Sequence, residues 1–156
     1  MEPEKSFDAV GKATLSLKGL FTLLKPSLPT LVDIYIDYCT NNDEDEKSGN
    51  HLAGLCRELE KMAGQNVVEK IKLLLWVPSD YDYTGWGELD DVLLGSPEDW
   101  PALREVTLSF GIFTTSKDDS KHDSDRDEVV RKLLTLTKLV ESKRVRFNFE
   151  VMMFPI

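Results

Sequence analysis

Three times along the chain an apolar residue is followed at the third and fifth positions by two more: Leu31-x-x-Ile34-x-Ile36, Val68-x-x-Ile71-x-Leu73 and Leu103-x-x-Val106-x-Leu108. The last two positions of each frame are two residues apart, so in an extended chain they share one face. A weaker copy, Val10-x-x-Ala13-x-Leu15, comes earlier, and a run centred on Val145, Phe147 and Phe149 comes later with Ser142 in the first place. The frames therefore start at 10, 31, 68, 103 and 142, at irregular intervals of 21, 37, 35 and 39 residues.

β-Branched and aromatic residues alternating with polar ones predict strands over 31–37, 67–77, 103–110 and 145–151, with a fifth at the frame beginning at Val10. Helical spacing fills the gaps between them. Leu52, Leu55, Cys56, Leu59, Met62 and Ala63 form one stripe over 51–63, stopped by Gly64. Trp86, Leu89 and Leu93 mark a second helix over 85–94, ended by Gly95-Ser96-Pro97. Val129, Leu133, Leu136 and Val140 mark a third over 125–141, with Ser124 and Asp127 spaced as a capping box. Strands that alternate with helices favour a parallel sheet, because each helix carries the chain back to the sheet's starting edge. The expectation is one α/β domain over residues 1–156, with about five parallel strands and helices packed on one face.

The frame positions turn toward the helices, which leaves the intervening side chains for the other face. These are Thr14 and Ser16; Asp33, Tyr35 and Asp37; Lys70, Lys72 and Leu74; Glu105, Thr107 and Ser109; and Arg146 and Asn148. A second helix layer would need an apolar face here, so this mixed polar surface predicts a sheet covered on one side only.

Leu31-Val-Asp-Ile34-Tyr-Ile36-Asp-Tyr-Cys39 resembles the leucine-rich-repeat core L-x-x-L-x-L-x-x-N/C. Three longer stretches extend the resemblance: Leu55-Cys-Arg-Glu-Leu59-Glu-Lys-Met62-Ala-Gly64-Gln-Asn66-Val-Val68, Trp86-Gly-Glu-Leu89-Asp90-Asp-Val92-Leu93, and Trp100-Pro101-Ala-Leu103-Arg-Glu-Val106-Thr-Leu108. Together they are similar to the C-terminal repeat region of fungal F-box proteins of mushroom-forming basidiomycetes, over most of residues 7–151. The resemblance implies a non-enzymatic repeat module that binds a protein, as the substrate-recognition part of a ubiquitin-ligase receptor does. Nothing near Met1 reads as the Leu-Pro-x-Glu opening of an F-box, which leaves a fragment of a longer repeat array, a truncated gene copy and a stand-alone repeat protein all open.

Composition narrows the partners. Nineteen Lys and Arg against 28 Asp and Glu give a net charge of −9, which repels nucleic-acid phosphates and anionic lipid. Two cysteines, no Cys-x-x-Cys pair and no signal-like N-terminus point to the cytoplasm or nucleus. Cys56 lies in an apolar stripe and Cys39 at the repeat's structural position, so neither pairs with His51 or His122 as a nucleophile would. No catalytic, cofactor or metal residue is assigned. Asp123, Asp125 and Asp127 imitate the start of a Ca²⁺ loop, but Glu128 stands where that loop needs Gly and Leu134 where it needs Glu. The acidic segments 41–46, 80–83 and 118–128 read as solvated loops, and they are where an alternative small ligand- or cation-binding domain or enzyme would place its site.

The predicted partner-binding surface is the open sheet face with its adjacent loop: Tyr35, Asp37, Lys70, Lys72, Leu74, Trp76, Tyr81, Tyr83, Thr107, Arg146 and Asn148. Aromatic side chains are the usual anchors of protein interfaces. The apolar run from Val151 to Ile156 follows the last expected strand with no polar cap, which leaves open a missing continuation, self-association through that edge or a local aggregation liability.

Overall fold

The computed structural model describes residues 19–39, 51–78, 86–114 and 119–155. Within them helices α1 (Leu20–Leu24), α2 (His51–Met62), α3 (Trp86–Leu94), α4 (Asp119–Leu133) and α5 (Thr137–Glu141) alternate with strands. The strands are β1 (Asp33–Cys39), β2 (Lys70–Pro78), β3 (Glu105–Thr114) and β4 (Arg146–Pro155), all parallel and ordered β1-β2-β3-β4. The expected fifth strand at Val10 lies outside the described residues.

The frame sets the register. Ile34, Ile71 and Val106 stand side by side, as do Ile36, Leu73 and Leu108, and all six are at most 2% exposed. Each such fully buried side chain contributes roughly 1.5–3 kcal/mol, so these rows organise the core. Leu55, Leu59 and Met62 of α2, Leu89 and Leu93 of α3 and Leu139 of α5 join the same cluster. The helices touch as well: α1 packs on α2, α2 on α3, and α3 on α5, while α4 packs on β4.

The fourth copy of the frame is in a different phase from the one expected. Val106 faces Phe147 and Leu108 faces Phe149, which puts Arg144, not Ser142, in the first position. The Arg144 guanidinium donates to the Trp100 and Leu103 carbonyls at 3.0 and 3.4 Å, closing the turn before β3. Val145, one residue later, supplies the missing core contact at 2% exposure. Ser142 instead shapes the turn, its hydroxyl accepting the Val145 and Arg144 N–H groups.

The third helix also differs. Helix begins at Asp119, so most of the acidic segment expected as a loop is α4, and Ser124 lies inside it rather than at a cap. The Asp123, Asp125 and Asp127 pattern is therefore helical, without the extended loop a Ca²⁺ ligand set requires. Acidic residues near a helix N-terminus also favour the helix through its dipole. The single expected helix ends at Leu133, and Thr135 turns the chain by bonding back through its N–H and hydroxyl to the Lys132 carbonyl. The helix that restarts has no cap of its own at Leu136, but the two Asp90 carboxylate oxygens on α3 accept the Lys138 and Leu139 N–H groups at 2.8 Å each. The break rephases the stripe: Leu139 is buried, whereas Val140 is 42% exposed.

A second buried carboxylate holds α1. The Glu58 carboxylate on α2 accepts the Phe21 N–H at 2.8 Å and the Lys61 ammonium at 2.9 Å. Burial pushes the Glu58 carboxyl up, but the Phe21 N–H, Lys61 and the Gly19 N–H outweigh it, and its pKa falls below the usual 4.5. A lowered carboxylate pKa contributes stability that is present above about 4.5 and lost as pH falls through the folded-state value. Glu58→Gln should therefore lose about 1 kcal/mol at pH 6.5, with a smaller gap to the parent at pH 3, as read from urea midpoints. An equal gap at both pH values would contradict this account of α1 docking.

β3 and β4 run four residues past their expected ends at Phe110 and Val151. Met152, Met153 and Phe154 are thus strand residues paired with Gly111, Ile112 and Phe113, not a trailing segment. No helix among the described residues is long and apolar enough to cross a membrane.

Candidate functional site

Alternate residues of a strand face opposite ways, so the buried rows leave a second set of rows on the sheet's other face. Asp33, Lys70, Glu105 and Arg146 form the first row, and their charges alternate in sign across the sheet. Strands lie about 4.8 Å apart, so each of these charges has opposite-sign neighbours within reach. Lys70 and Arg146 are exposed.

Tyr35, Lys72, Thr107 and Asn148 form the second row. The Lys72 ammonium sits 5.6 Å from the centre of the Tyr35 ring, in cation–π range. The Asn148 amide donates to Glu105 Oε2 at 3.1 Å and reaches Thr107 Oγ1 at 3.5 Å. Asp37, Leu74, Ser109 and Glu150 follow, with the buried Ser109 hydroxyl donating to Glu150 Oε1 at 2.8 Å.

Beyond them the face becomes aromatic. Trp76, Gly111 and Met152 share a row, and Phe113 and Phe154 pair in the next. The Trp76 ring stacks on Phe113 with centroids 5.7 Å apart and an interplanar angle of 23°, and it meets Phe154 at 5.4 Å. Its indole Nε1–H donates to Asp37 Oδ1 at 2.8 Å, which fixes the ring's direction across the neighbouring strand. That path exists because Gly111 has no side chain: a Cβ there would lie 2.5 Å from Trp76 Cε3. All three aromatic residues are half-buried.

Of the residues predicted for the surface, Tyr35, Asp37, Lys70, Lys72, Leu74, Trp76, Thr107, Arg146 and Asn148 share this one face. Tyr81 and Tyr83 lie outside the described residues. Gly111, Phe113, Met152 and Phe154 belong to the face as well, past the expected strand ends at Phe110 and Val151, and so does Glu150, which lies within the expected last strand but is not among the predicted surface residues. The signal was present as a continued alternation, Ser109-x-Gly111-x-Phe113 and Glu150-x-Met152-x-Phe154.

The Cys56 thiol is 1% exposed, and burial first, then the carboxylates of Glu88 and Glu60, push its pKa up to about 12. It stays protonated at neutral pH and is no nucleophile. No group of three His, Cys, Asp or Glu suited to a metal ion occurs among the described residues; segments 41–46 and 80–83 lie outside them. A depression of about 370 Å³ between α3 and α5 is lined by Leu94, Pro97, Lys138 and Arg144 among others. Its cations are engaged: Lys138 by the Asp91 carboxylate, which holds its pKa above the usual lysine value, and Arg144 by the two turn carbonyls.

No protein-family model, curated protein or solved structure matches this chain.

Proposed function

We propose that the chain is a non-enzymatic protein-binding module that works through the open face of its sheet. The observation that carries this reading is the placement of exposed cations, carboxylates and a Trp76–Phe113–Phe154 cluster on one pleated surface. Aromatic anchors beside polar groups are the usual composition of an interface, and a strand-built surface holds them with little entropy left to lose on binding. In this reading the helices pack on one face, the irregular frames are leucine-rich-repeat-like units, and the module is related to the target-recognition repeats of fungal F-box proteins. It acts in the cytoplasm or nucleus without cofactor, nucleic acid or lipid.

Affinity capture from a cell extract with the parent chain and with Lys72→Glu and Trp76→Ala variants, quantified by mass spectrometry, tests the reading. At least one specific partner should be retained by the parent and depleted about tenfold or more by each variant, as loss of an anchor costing about 1.4 kcal/mol or more implies. Capture that is indifferent to both open-face substitutions, in variants with parent-like circular dichroism, would remove the basis for the proposal.

A further inference from the structure

β4 pairs with β3 along all ten of its residues, and no described strand pairs with its other side. Its helix-side residues show what that edge lacks. Phe147, Phe149, Val151 and Met153 are only partly buried, although their neighbours on β3, Val106, Leu108, Phe110 and Ile112, are at most 1% exposed. A row of apolar side chains therefore stops one strand short of being covered. The backbone groups on this edge can also be identified. The Arg146 N–H donates to the Arg104 carbonyl, so in a parallel ladder residues 146, 148, 150, 152 and 154 direct their backbone groups to β3. Phe147, Phe149, Val151 and Met153 direct theirs outward.

We infer that β4 pairs antiparallel with β4 of a second copy of this chain, about a twofold axis at Asn148, to join two four-stranded sheets into one of eight. The axis position follows from backbone parity and charge. A twofold antiparallel pair exchanges hydrogen bonds between outward-directed residues, and placing Asn148 opposite Asn148 sets Phe147 against Phe149 in both directions. The same register puts Arg146 opposite Glu150 twice. Those are the two exposed charges of β4's open face. It also continues the sign alternation of the row Asp33, Lys70, Glu105, Arg146 with an acid from the second copy. Moving the axis to Glu150 would set that carboxylate against its own copy, which is repulsive, and an axis at Phe149 or Val151 would leave Arg146 and Glu150 facing neutral residues.

Light scattering coupled to size exclusion on the full chain at about 100 µM, a concentration suited to weak edge interfaces, should give twice the chain mass. Arg146→Glu should return the monomer mass with unchanged circular dichroism, and the exchanged pair Arg146→Glu with Glu150→Arg should restore the dimer. In a Cys39→Ser background, Asn148→Cys should form an interchain disulfide under mild oxidation, since facing residues of this kind have Cα atoms about 4.5 Å apart. A monomeric parent overturns the inference, as would occur if another segment of the chain covered this edge. A dimer that persists in Arg146→Glu, or that is not recovered by the exchange, overturns it equally.

Discussion

Asn66→Ala is expected to destabilise the fold by about 2–4 kcal/mol, more than truncation of any surface polar residue, because one side chain satisfies three backbone groups at a buried junction. The Asn66 amide donates to the Met62 carbonyl at 2.9 Å and the Asp99 carbonyl at 3.1 Å, and its oxygen accepts the Val68 N–H at 3.2 Å. These groups belong to the end of α2, the turn after α3 and the approach to β2. Asp99 also receives the Gly64 N–H at 2.8 Å, with Gly64 in the left-handed conformation at φ 77°, so chain reversal and inter-unit contact meet at one point. The two carbonyls each keep another donor after truncation, Gly64 and Gln65. The Val68 N–H, next to a fully buried side chain, loses its acceptor and carries most of the cost. Urea unfolding should show a lower midpoint at unchanged slope, and a loss under about 1 kcal/mol would contradict this role.

Gly111→Val should be nearly as damaging and should act through Trp76. Valine ordinarily improves a strand over glycine, by up to about 1 kcal/mol. At this position its Cβ would meet Trp76 Cε3 at 2.5 Å and Cζ3 at 2.7 Å, so the indole must swing away. Both the stacking on Phe113 and the bond to Asp37 are then lost, for a net cost of about 1–3 kcal/mol. A double-mutant cycle isolates the cause: in a Trp76→Ala background the same Gly111→Val change should be neutral or stabilising. Equal losses in both backgrounds would show that the glycine is needed for its backbone instead. Under the proposed function, Gly111→Val also removes partner capture.

These two positions show how much of the molecule could be read from residue order. The frames at 31, 68 and 103 predicted both the strands and their mutual register, because apolar residues two apart have one way to share a core. Strand parity also groups Tyr35, Lys72, Thr107 and Asn148 on the sheet's other face, and the structure sets these four side by side. Phe113 and Phe154 were not legible there, since Gly111 reads as a strand breaker until Trp76 is seen lying over it, and the apolar Val151 and Met153 mask the alternation that continues through Met152 and Phe154. Helix α4 was legible only near Val129, because Asp119 to Glu128 offers no apolar stripe for periodicity to detect. The Asp90 and Glu58 caps were invisible for a different reason: each acts on a backbone 37 to 49 residues away, and local spacing carries no trace of such a partner.

The order β1-β2-β3-β4 means that every described strand pairs only with strands next to it in the chain. During synthesis each strand after the first finds its neighbour already made, and vectorial folding from the ribosome meets no topological obstacle. The same order sets how such a gene can lengthen. A duplicated strand–helix unit added at either flank of the sheet leaves every existing pairing intact, whereas one inserted between β2 and β3 must separate two strands in contact along nine residue pairs.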